Sequence, residues 1–272
     1  MEAKSTLLVH SYMTSSDIRS YTHSHRNLKN ITLCANPFST SVPKFCHFLE
    51  SISILSNLCT LRFSNVHLSH SEVIYTIETI KTSFHHLRVI DFSGNNLNDP
   101  EVVHLLATLV SQLPLLHTLN LSHCHLNAAN VVLFLHHFFP YKKTELEFNN
   151  KPSCSDGFPF HINLSNNNIP RDSDLEEKLL DFVQKNHRIS KIHLSGNFIT
   201  NSCAAVVDEI CRKHEEVYGT RQEKKKKTNI PQNGAAARRL AAPNSSLSFL
   251  AAVDADCYPS IVFLSKLEGE EK

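Results

Sequence analysis

Residues 87–97 read LRVIDFSGNNL, and residues 116–126 read LHTLNLSHCHL. Both stretches fit one pattern, L-x-x-L-x-L-x-x-N-x-L, in which Cys124 takes the place of the asparagine. With substitutions, the pattern recurs six times, starting at residues 28, 58, 87, 116, 159 and 189. Four of the five intervals between successive starts are nearly equal, and the interval between 116 and 159 is stretched. Six copies in phase indicate a repeat architecture.

The spacing of apolar residues within each copy predicts a short strand with one buried face. Leu119 and Leu121 are expected to point inward, with Asn120 pointing outward between them. At the asparagine position of the pattern the chain turns inward, and a small polar side chain there can bond backbone groups that the turn leaves unpaired. One copy cannot bury its own apolar face, so neighbouring copies must stack. Val66 occupies the asparagine position of the second copy, where we expect local irregularity.

The segments between the predicted strands read as helices. Ser69 and Glu72 are spaced as a capping box, ahead of apolar residues that repeat at helical spacing. Asp99 precedes Pro100, the order expected for an N-cap followed by the first helical residue. Further helix starts are predicted near residues 174 and 201. Helices of about three turns therefore alternate with the strands.

These copies resemble leucine-rich repeats, and their long, helix-bearing units are similar to those of the ribonuclease-inhibitor subfamily. That subfamily includes the ribonuclease inhibitor, the Ran GTPase-activating protein, tropomodulin and the sensor domains of NOD-like receptors. The resemblance covers roughly residues 27–218. It implies an α/β horseshoe of about six repeats, with a parallel concave sheet and convex helices, that works by binding other proteins.

The regions outside the repeats divide the chain further. Residues 1–26 are interpreted as an N-terminal cap or partial repeat, and the stretched interval as a polar loop inserted near 140–157. Residues 219–246 are rich in basic residues and predict a disordered linker. Residues 247–272 are first apolar and then acidic, which fits either a hairpin docked on the last repeat or a loose tail.

The strand register predicts which side chains form the concave face. Between the buried positions, outward residues align in columns from one copy to the next. We expect Arg62 and Asp91 to be neighbours that pair when no partner is bound. His161 and His193 lie in the last two copies of the pattern, at one end of this face. One alternative is that they form a contact that depends on pH. The candidate partner-binding residues are Arg62, Asp91, Asn120, Asn163, His161, Lys191 and His193.

The sequence gives no sign of catalysis. Apolar residues make up 41% of the chain, which excludes wholesale disorder, but only 6 of 272 residues are glycine, which argues against glycine-rich phosphate loops. The chain lacks H-E-x-x-H, G-x-S-x-G and Walker A segments. We therefore expect no enzymatic activity, no catalytic residues, no cofactor and no small-molecule substrate.

Metal binding and membrane insertion are also not expected. None of the eight cysteines is spaced as C-x-x-C, and around Cys124 the side chains of His123 and His125 should diverge from an inward thiol. No apolar run approaches the ~18 residues of a membrane-spanning helix. The apolar patch at residues 7–9 is too short for a secretory signal, so free thiols in a reducing compartment are expected.

A run of four basic residues lies in the predicted linker, and it consists of Lys224, Lys225, Lys226 and Lys227. The run has three interpretations: a solvated linker, a nuclear localisation signal, or a contact for nucleic acid or anionic lipid. Aromatic residues are not interleaved with the lysines, which makes nucleic acid the weaker interpretation. The expected location is cytoplasmic, with the nucleus as the alternative.

The predicted function is a scaffold that binds a protein partner through its concave face. Similarity to the Ran GTPase-activating protein makes a regulator of a small GTPase one alternative. However, that family carries a long acidic tail, whereas only Glu268, Glu270 and Glu271 lie close together here. An actin-binding or ubiquitin-ligase adaptor is the other alternative, although the sequence shows neither a tropomodulin-like N-terminal helix array nor an F-box.

Overall fold

Strands and helices alternate along the chain in the computed structural model, which describes residues 6–9, 13–33, 42–138 and 159–228. The strands of these ranges are β1 (Thr6–Val9), β2 (Asn30–Leu33), β3 (Thr60–Arg62), β4 (Val89–Asp91), β5 (Thr118–Asn120), β6 (Phe160–Asn163) and β7 (Ile189–His193). The helices are α1 (Ser15–Ser24), α2 (Val42–Ile52), α3 (His70–Ser83), α4 (Pro100–Gln112), α5 (Ala128–Phe138), α6 (Ser173–Lys185) and α7 (Asn201–Thr228). All seven strands form one parallel sheet in chain order, so the molecule is a leucine-rich-repeat solenoid.

The sheet contains one more strand than the six copies of the sequence pattern. β1 pairs with β2 so that Leu7 lies beside Ile31, and both Leu7 and Val9 are fully buried. In this register, the other three positions of the pattern fall on Lys4, Tyr12 and Thr14. Only the two strand positions of this copy fit the pattern, so the pattern alone does not predict this strand.

The predicted register of the strands is confirmed at β5. Leu119 and Leu121 are buried, whereas Asn120 between them is half-buried on the opposite face. Aromatic rings continue the core from repeat to repeat, as where the rings of Phe63 and Phe92 stack with their centroids 5.7 Å apart.

At three of the turns, an asparagine side chain joins the turn to that of the preceding repeat. The Nδ2 of Asn167 donates to the carbonyls of Leu121 (2.9 Å) and Leu164 (2.8 Å). Its Oδ1 accepts hydrogen bonds from the amides of Cys124 (2.8 Å) and Leu126 (3.1 Å). Asn95 and Asn197 bond in the same manner. The predicted role of the asparagine is confirmed, and the bonds to the neighbouring repeat explain how the units are held in register.

The turn around Val66 is regular, so the expected irregularity is wrong. Residues on both sides of Val66 have φ of 53°, and the residues flanking Cys124 and Asn167 have φ between 55° and 58°. The reason lies in the next repeat, where Asn95 donates to the carbonyl of Phe63 (2.7 Å) and accepts from the amide of Leu68 (3.0 Å). A valine is tolerated because the asparagine that bonds this turn comes from its neighbour.

The helix starts follow the predicted capping residues. Ser69 and Glu72 form a capping box, in which the Ser69 amide donates to the Glu72 carboxylate at 2.8 Å. Asp99 caps α4 by accepting from the amides of Glu101 and Val102, and Pro100 is the first helical residue. At α6 the cap is Asp172, two residues before the predicted start.

Helix α7 corrects the predicted linker. The helix continues to Thr228, so residues 219–228 are helical rather than disordered. The basic run of Lys224, Lys225, Lys226 and Lys227 therefore lies on the last turns of a helix and not in a linker. Most residues of this stretch are strong helix formers, and this preference outweighs the repulsion between like charges. The rest of the linker, the segment 247–272 and the loop predicted near 140–157 lie outside the described residues.

The first half of α7 covers the end of the solenoid. Cys203, Val207 and Cys211, spaced four residues apart, are buried against the last repeat. His214 lies beside the outer edge of the sheet, with its Nδ1 2.9 Å from the carbonyl oxygen of Ile189 in β7. A helix of the same chain therefore occupies the edge that a further strand would pair with.

The asparagine contacts give a stability prediction. Asn167→Ala should lower the free energy of unfolding by about 3–5 kcal/mol, because it leaves several buried backbone donors and acceptors unbonded. Asn57→Ala, at an exposed position, is the control and should change it by less than about 0.5 kcal/mol. Urea unfolding followed by circular dichroism measures both. Equal losses in the two variants would show that the asparagine contacts do not stabilise the turns.

Candidate functional site

The register of the strands places the predicted partner-binding residues in two adjoining columns. Arg62, Asp91, Asn120, Asn163 and His193 are paired in succession across β3 to β7. In the neighbouring column, His161 of β6 pairs with Lys191 of β7. The structure therefore brings all seven candidate residues onto one face of the sheet.

Three side chains of the first column, which runs from Arg62 to His193, are held in the same orientation. Asp91, Asn120 and Asn163 each use Oδ1 to accept a hydrogen bond from the backbone amide two residues later, at 2.9, 3.1 and 3.0 Å. A side chain fixed in this way loses little rotational freedom when it meets a ligand. The second polar atom of each side chain takes no part in these three bonds and can bond a partner.

Arg62 and Asp91 lie side by side but form no ion pair, so the expected pairing is wrong. Although the two residues are register partners on β3 and β4, no nitrogen of Arg62 lies within 4.0 Å of the Asp91 carboxylate. The bond from the Ser93 amide turns the carboxylate along its own strand. The two charges are thus both presented on the concave face.

At the far end of the face, two histidines border helix α7. Burial is the main cause that lowers the pKa of His161, and the charge of Glu215 opposes it. The pKa of His193 is also lowered, first by burial and then by Lys191, while Asp208 raises it. Both rings are therefore neutral at pH 7. His161 pairs with Lys191 and His193 with Asn163, so the two rings occupy different columns.

His117 is a residue that the sequence analysis missed. It directly precedes β5, and its Nδ1 lies 3.0 Å from the hydroxyl of Thr118. Burial, followed by the charges of His161 and Arg88, lowers the pKa of His117 to about 4. In the sequence this position looks like any other residue before a strand, because its burial arises from neighbouring repeats.

The histidines around Cys124 do not converge on a site. Cys124 is buried, and burial raises the pKa of its thiol to about 12, whereas His123 and His125 are exposed. The described cysteines are free thiols, namely Cys46, Cys59, Cys124, Cys203 and Cys211.

A cluster of His70, Asp99 and Glu101 lies where helices α3 and α4 begin. The Nδ1 of His70 is 3.5 Å from Oδ2 of Asp99, and its Nε2 is 3.8 Å from Oε2 of Glu101. The three side chains are 44–68% exposed, and Asp99 also caps α4. Their sequence positions gave no sign of this contact, which arises from the stacking of successive repeats. The geometry is that of surface ion pairs that form when His70 is protonated.

Within the described ranges, no helix combines the length and the apolar character that crossing a membrane requires.

Comparison with known proteins finds a likeness in structure. No family model and no curated protein matches the sequence. The chain is similar to a solved structure titled leiomodin-1 actin-binding site 2, with a TM-score of 0.55 and 9% identity over 70% of this chain and 99% of that one. The C-terminal domain of tropomodulin from Caenorhabditis elegans matches at a TM-score of 0.45 and 14% identity, over 78% of this chain and 99% of that one. The first likeness shows a shared fold.

The lowered pKa of His117 predicts a loss of stability in acid. A histidine that is neutral when folded stabilises the fold fully above its unfolded pKa of 6.5, and this stabilisation is lost as the pH falls from 6.5 towards 4. Since the ring is partly open to solvent, we expect a loss on the order of 2 kcal/mol. Thermal unfolding of His117→Asn should depend less on pH in this range than unfolding of the unmodified protein.

His23→Asn is the control for this measurement, since His23 is exposed on α1. It should leave the pH dependence unchanged. The assignment to His117 is contradicted if both variants retain the full acid sensitivity.

Proposed function

We propose that this chain is a non-enzymatic scaffold that binds a protein partner through the concave face of its sheet. The proposal rests on the two aligned columns of outward side chains that run across successive strands. At about 4.8 Å between strands, the steps from β2 to β7 span about 24 Å, which is wide enough for a segment of a folded protein. Seven parallel strands hold these side chains on one rigid surface.

The chemistry of the face favours polar recognition. Arg62 and Asp91 offer opposite charges one strand apart, and Asn120 and Asn163 offer amides fixed by their backbone contacts. None of these side chains is a tryptophan or tyrosine, the residues that most often dominate binding energy. We therefore propose a partner that is held by hydrogen bonds and charge complementarity, with moderate affinity.

We propose that the chain is a ribonuclease-inhibitor-like protein, and the support for this is the repeat length, since units this long leave room for three-turn helices. A cytoplasmic or nuclear location fits free thiols and the basic run Lys224–Lys227, which is the candidate nuclear signal. A regulator of a small GTPase and a ubiquitin-ligase adaptor remain the alternatives from the sequence. Mass spectrometry of proteins that co-purify with the tagged chain distinguishes these classes by the partner recovered.

Charge changes on the concave face test the proposed surface. Arg62→Glu should weaken binding of the recovered partner by roughly 1–3 kcal/mol, because it places a like charge in the contact. Asp91→Asn should weaken binding without affecting folding, since the amide keeps the Oδ1 that accepts from Ser93. Calorimetric titration measures binding, and thermal unfolding measures stability.

Lys81→Glu is the matched control, because Lys81 is exposed on α3 of the same repeat as Arg62. It makes the same charge change on the convex side and should leave binding intact. Loss of binding in Lys81→Glu, with none in Arg62→Glu, would move the interface to the convex helices.

Actin is a second candidate partner. The observation that favours it is the structural likeness to a fragment whose title names an actin-binding site, since the match covers 99% of that fragment. If the proposal is correct, the chain should co-sediment with filamentous actin or bind actin monomers in a fluorescence titration. Arg62→Glu should reduce the bound fraction and Lys81→Glu should not. Failure to bind either form of actin excludes this candidate and leaves the concave-face proposal standing.

A further inference from the structure

A pair of histidines joins helix α7 to the turn that precedes β7. His187 lies in the turn between α6 and β7, and His214 lies on α7, 27 residues further along the chain. The Nδ1 of His187 is 3.2 Å from the Nε2 of His214, and the two ring planes are inclined at 84°. Folding therefore brings together two imidazole nitrogens from elements that are distant in the sequence.

The backbone fixes the position of the proton on the ring of His214. The Nδ1 of this ring lies 2.9 Å from the carbonyl oxygen of Ile189, and a carbonyl oxygen can only accept a hydrogen bond. We therefore assign the proton of the neutral ring to Nδ1, which leaves Nε2 with a lone pair beside His187. Histidines that bind metal ions usually donate their other ring N–H to a carbonyl or carboxylate in this way.

The turn that carries His187 is fixed by the residues on both sides of it. The backbone amide and the side-chain Nδ2 of Asn186 both donate to the carbonyl of Phe182, at 3.1 and 2.6 Å. The carbonyl of Arg188 accepts from the amide of Phe160 at 2.7 Å. The side chain of His187 is exposed, so its ring can turn towards a ligand while its backbone stays in place.

The distance between the two nitrogens suits a divalent transition-metal ion. Zinc binds histidine nitrogen at about 2.0–2.1 Å, so two such ligands at a tetrahedral angle lie about 3.3 Å apart. The distance of 3.2 Å between the two rings is close to this value. Imidazole is a favoured ligand of Zn²⁺, Ni²⁺ and Cu²⁺, whereas Mg²⁺ and Ca²⁺ favour oxygen ligands.

The cationic side chains next to the two histidines in the sequence contact other groups. The Nη2 of Arg188 donates to the carbonyl of Leu116 at 3.3 Å, and the Nζ of Lys213 is 3.2 Å from the carboxylate of Glu209. Because these contacts direct both cations to other groups, the electrostatic cost of a further positive charge beside the rings is reduced.

The histidine pair supplies two ligands to an ion. Within the described ranges, three side chains with metal-binding atoms come together at His70, Asp99 and Glu101, and not at this pair. That group of three lies where α3 and α4 begin, and the positive end of each helix dipole opposes a cation there. The pair at α7 does not lie at a helix start, and water can complete the coordination of an ion bound to it.

We propose that His187 and His214 bind a divalent transition-metal ion, through Nδ1 and Nε2 respectively, and that the ion fastens α7 to the last repeat. Without the ion, the Nδ1–H of His187 donates to the Nε2 of His214. On binding, the proton of His187 moves from Nδ1 to Nε2 of the same ring, so that both nitrogens at the ion carry lone pairs. This site does not depend on the function proposed for the concave face.

Hydrogen exchange of the full chain tests the site, with protein that carries no histidine tag and whose thiols are kept reduced. Because the ion ties α7 to the turn before β7, an excess of Zn²⁺ should slow amide exchange in residues 203–217 about fivefold or more. Mg²⁺ at the same concentration should not slow it. Mass spectrometry of peptides from this helix measures the exchange rate and, across a Zn²⁺ titration, the dissociation constant.

Removal of either imidazole should weaken Zn²⁺ binding. His187→Asn is the main variant, because this side chain is exposed and circular dichroism should show an unchanged fold. Its Zn²⁺ dissociation constant should rise about tenfold or more, since one imidazole remains. His214→Asn removes the other ligand and should have the same effect, which provides a second test if one variant folds poorly.

His70→Asn is the matched control, because it removes an exposed histidine from the group of three at the starts of α3 and α4. It should leave the effect of Zn²⁺ on α7 as it is in the unmodified protein. An equal loss in His70→Asn would overturn the proposal. So would exchange in α7 that Zn²⁺ does not slow, equal slowing by Mg²⁺, or slowing that persists in both His187→Asn and His214→Asn. None of these outcomes affects the concave-face proposal, which is tested by Arg62→Glu.

Discussion

The hydrogen bonds of asparagine side chains at three inward turns, those of Asn95, Asn167 and Asn197, hold neighbouring repeats of the solenoid together. The Asn167 side chain bonds two carbonyls and two amide groups, and these groups belong to two consecutive repeats. Backbone polar groups in such a turn have no strand partner, and burying them without hydrogen bonds would lower the free energy of unfolding. The same bonds that satisfy one turn therefore also position the next strand.

The orientation of side chains on the concave face depends on that constraint. Because each turn is fixed, Ser93, Ser122 and Ser165 present their amides at equivalent places, and the residue two positions earlier is held by them. This geometry orients Asp91 towards its own strand end and keeps it out of an ion pair with Arg62. The charges of Arg62 and Asp91 are therefore both presented on the concave face without neutralising each other.

The sequence predicted the strands, the register and most helix caps, because these depend on local spacing. It did not predict features that arise between repeats. The strand of Leu7 and Val9 has too few pattern residues to be recognised, and the regular turn at Val66 depends on Asn95 of the following repeat. The lowered pKa of His117 likewise requires neighbours from other repeats. Predicting the end of α7 as a linker gave too much weight to charge repulsion and too little to helix propensity.

For the concave face, the sequence likewise predicted the positions of the residues but not all of their contacts. Counting residues along the strands predicts which seven side chains share a face, and the structure places all seven on that face. The spacing does not show whether Arg62 and Asp91 pair, because it cannot predict the hydrogen bond from the Ser93 amide to Asp91.

Helix α7 has a further consequence for assembly. A parallel sheet that is open at both ends can in principle add copies of itself end to end, and such head-to-tail contacts do not close, so they grow into filaments. Here the outer edge of β7 is occupied by α7, with His214 beside the carbonyl of Ile189. End-to-end growth needs two open edges, and in this protein one of them is already covered by its own chain.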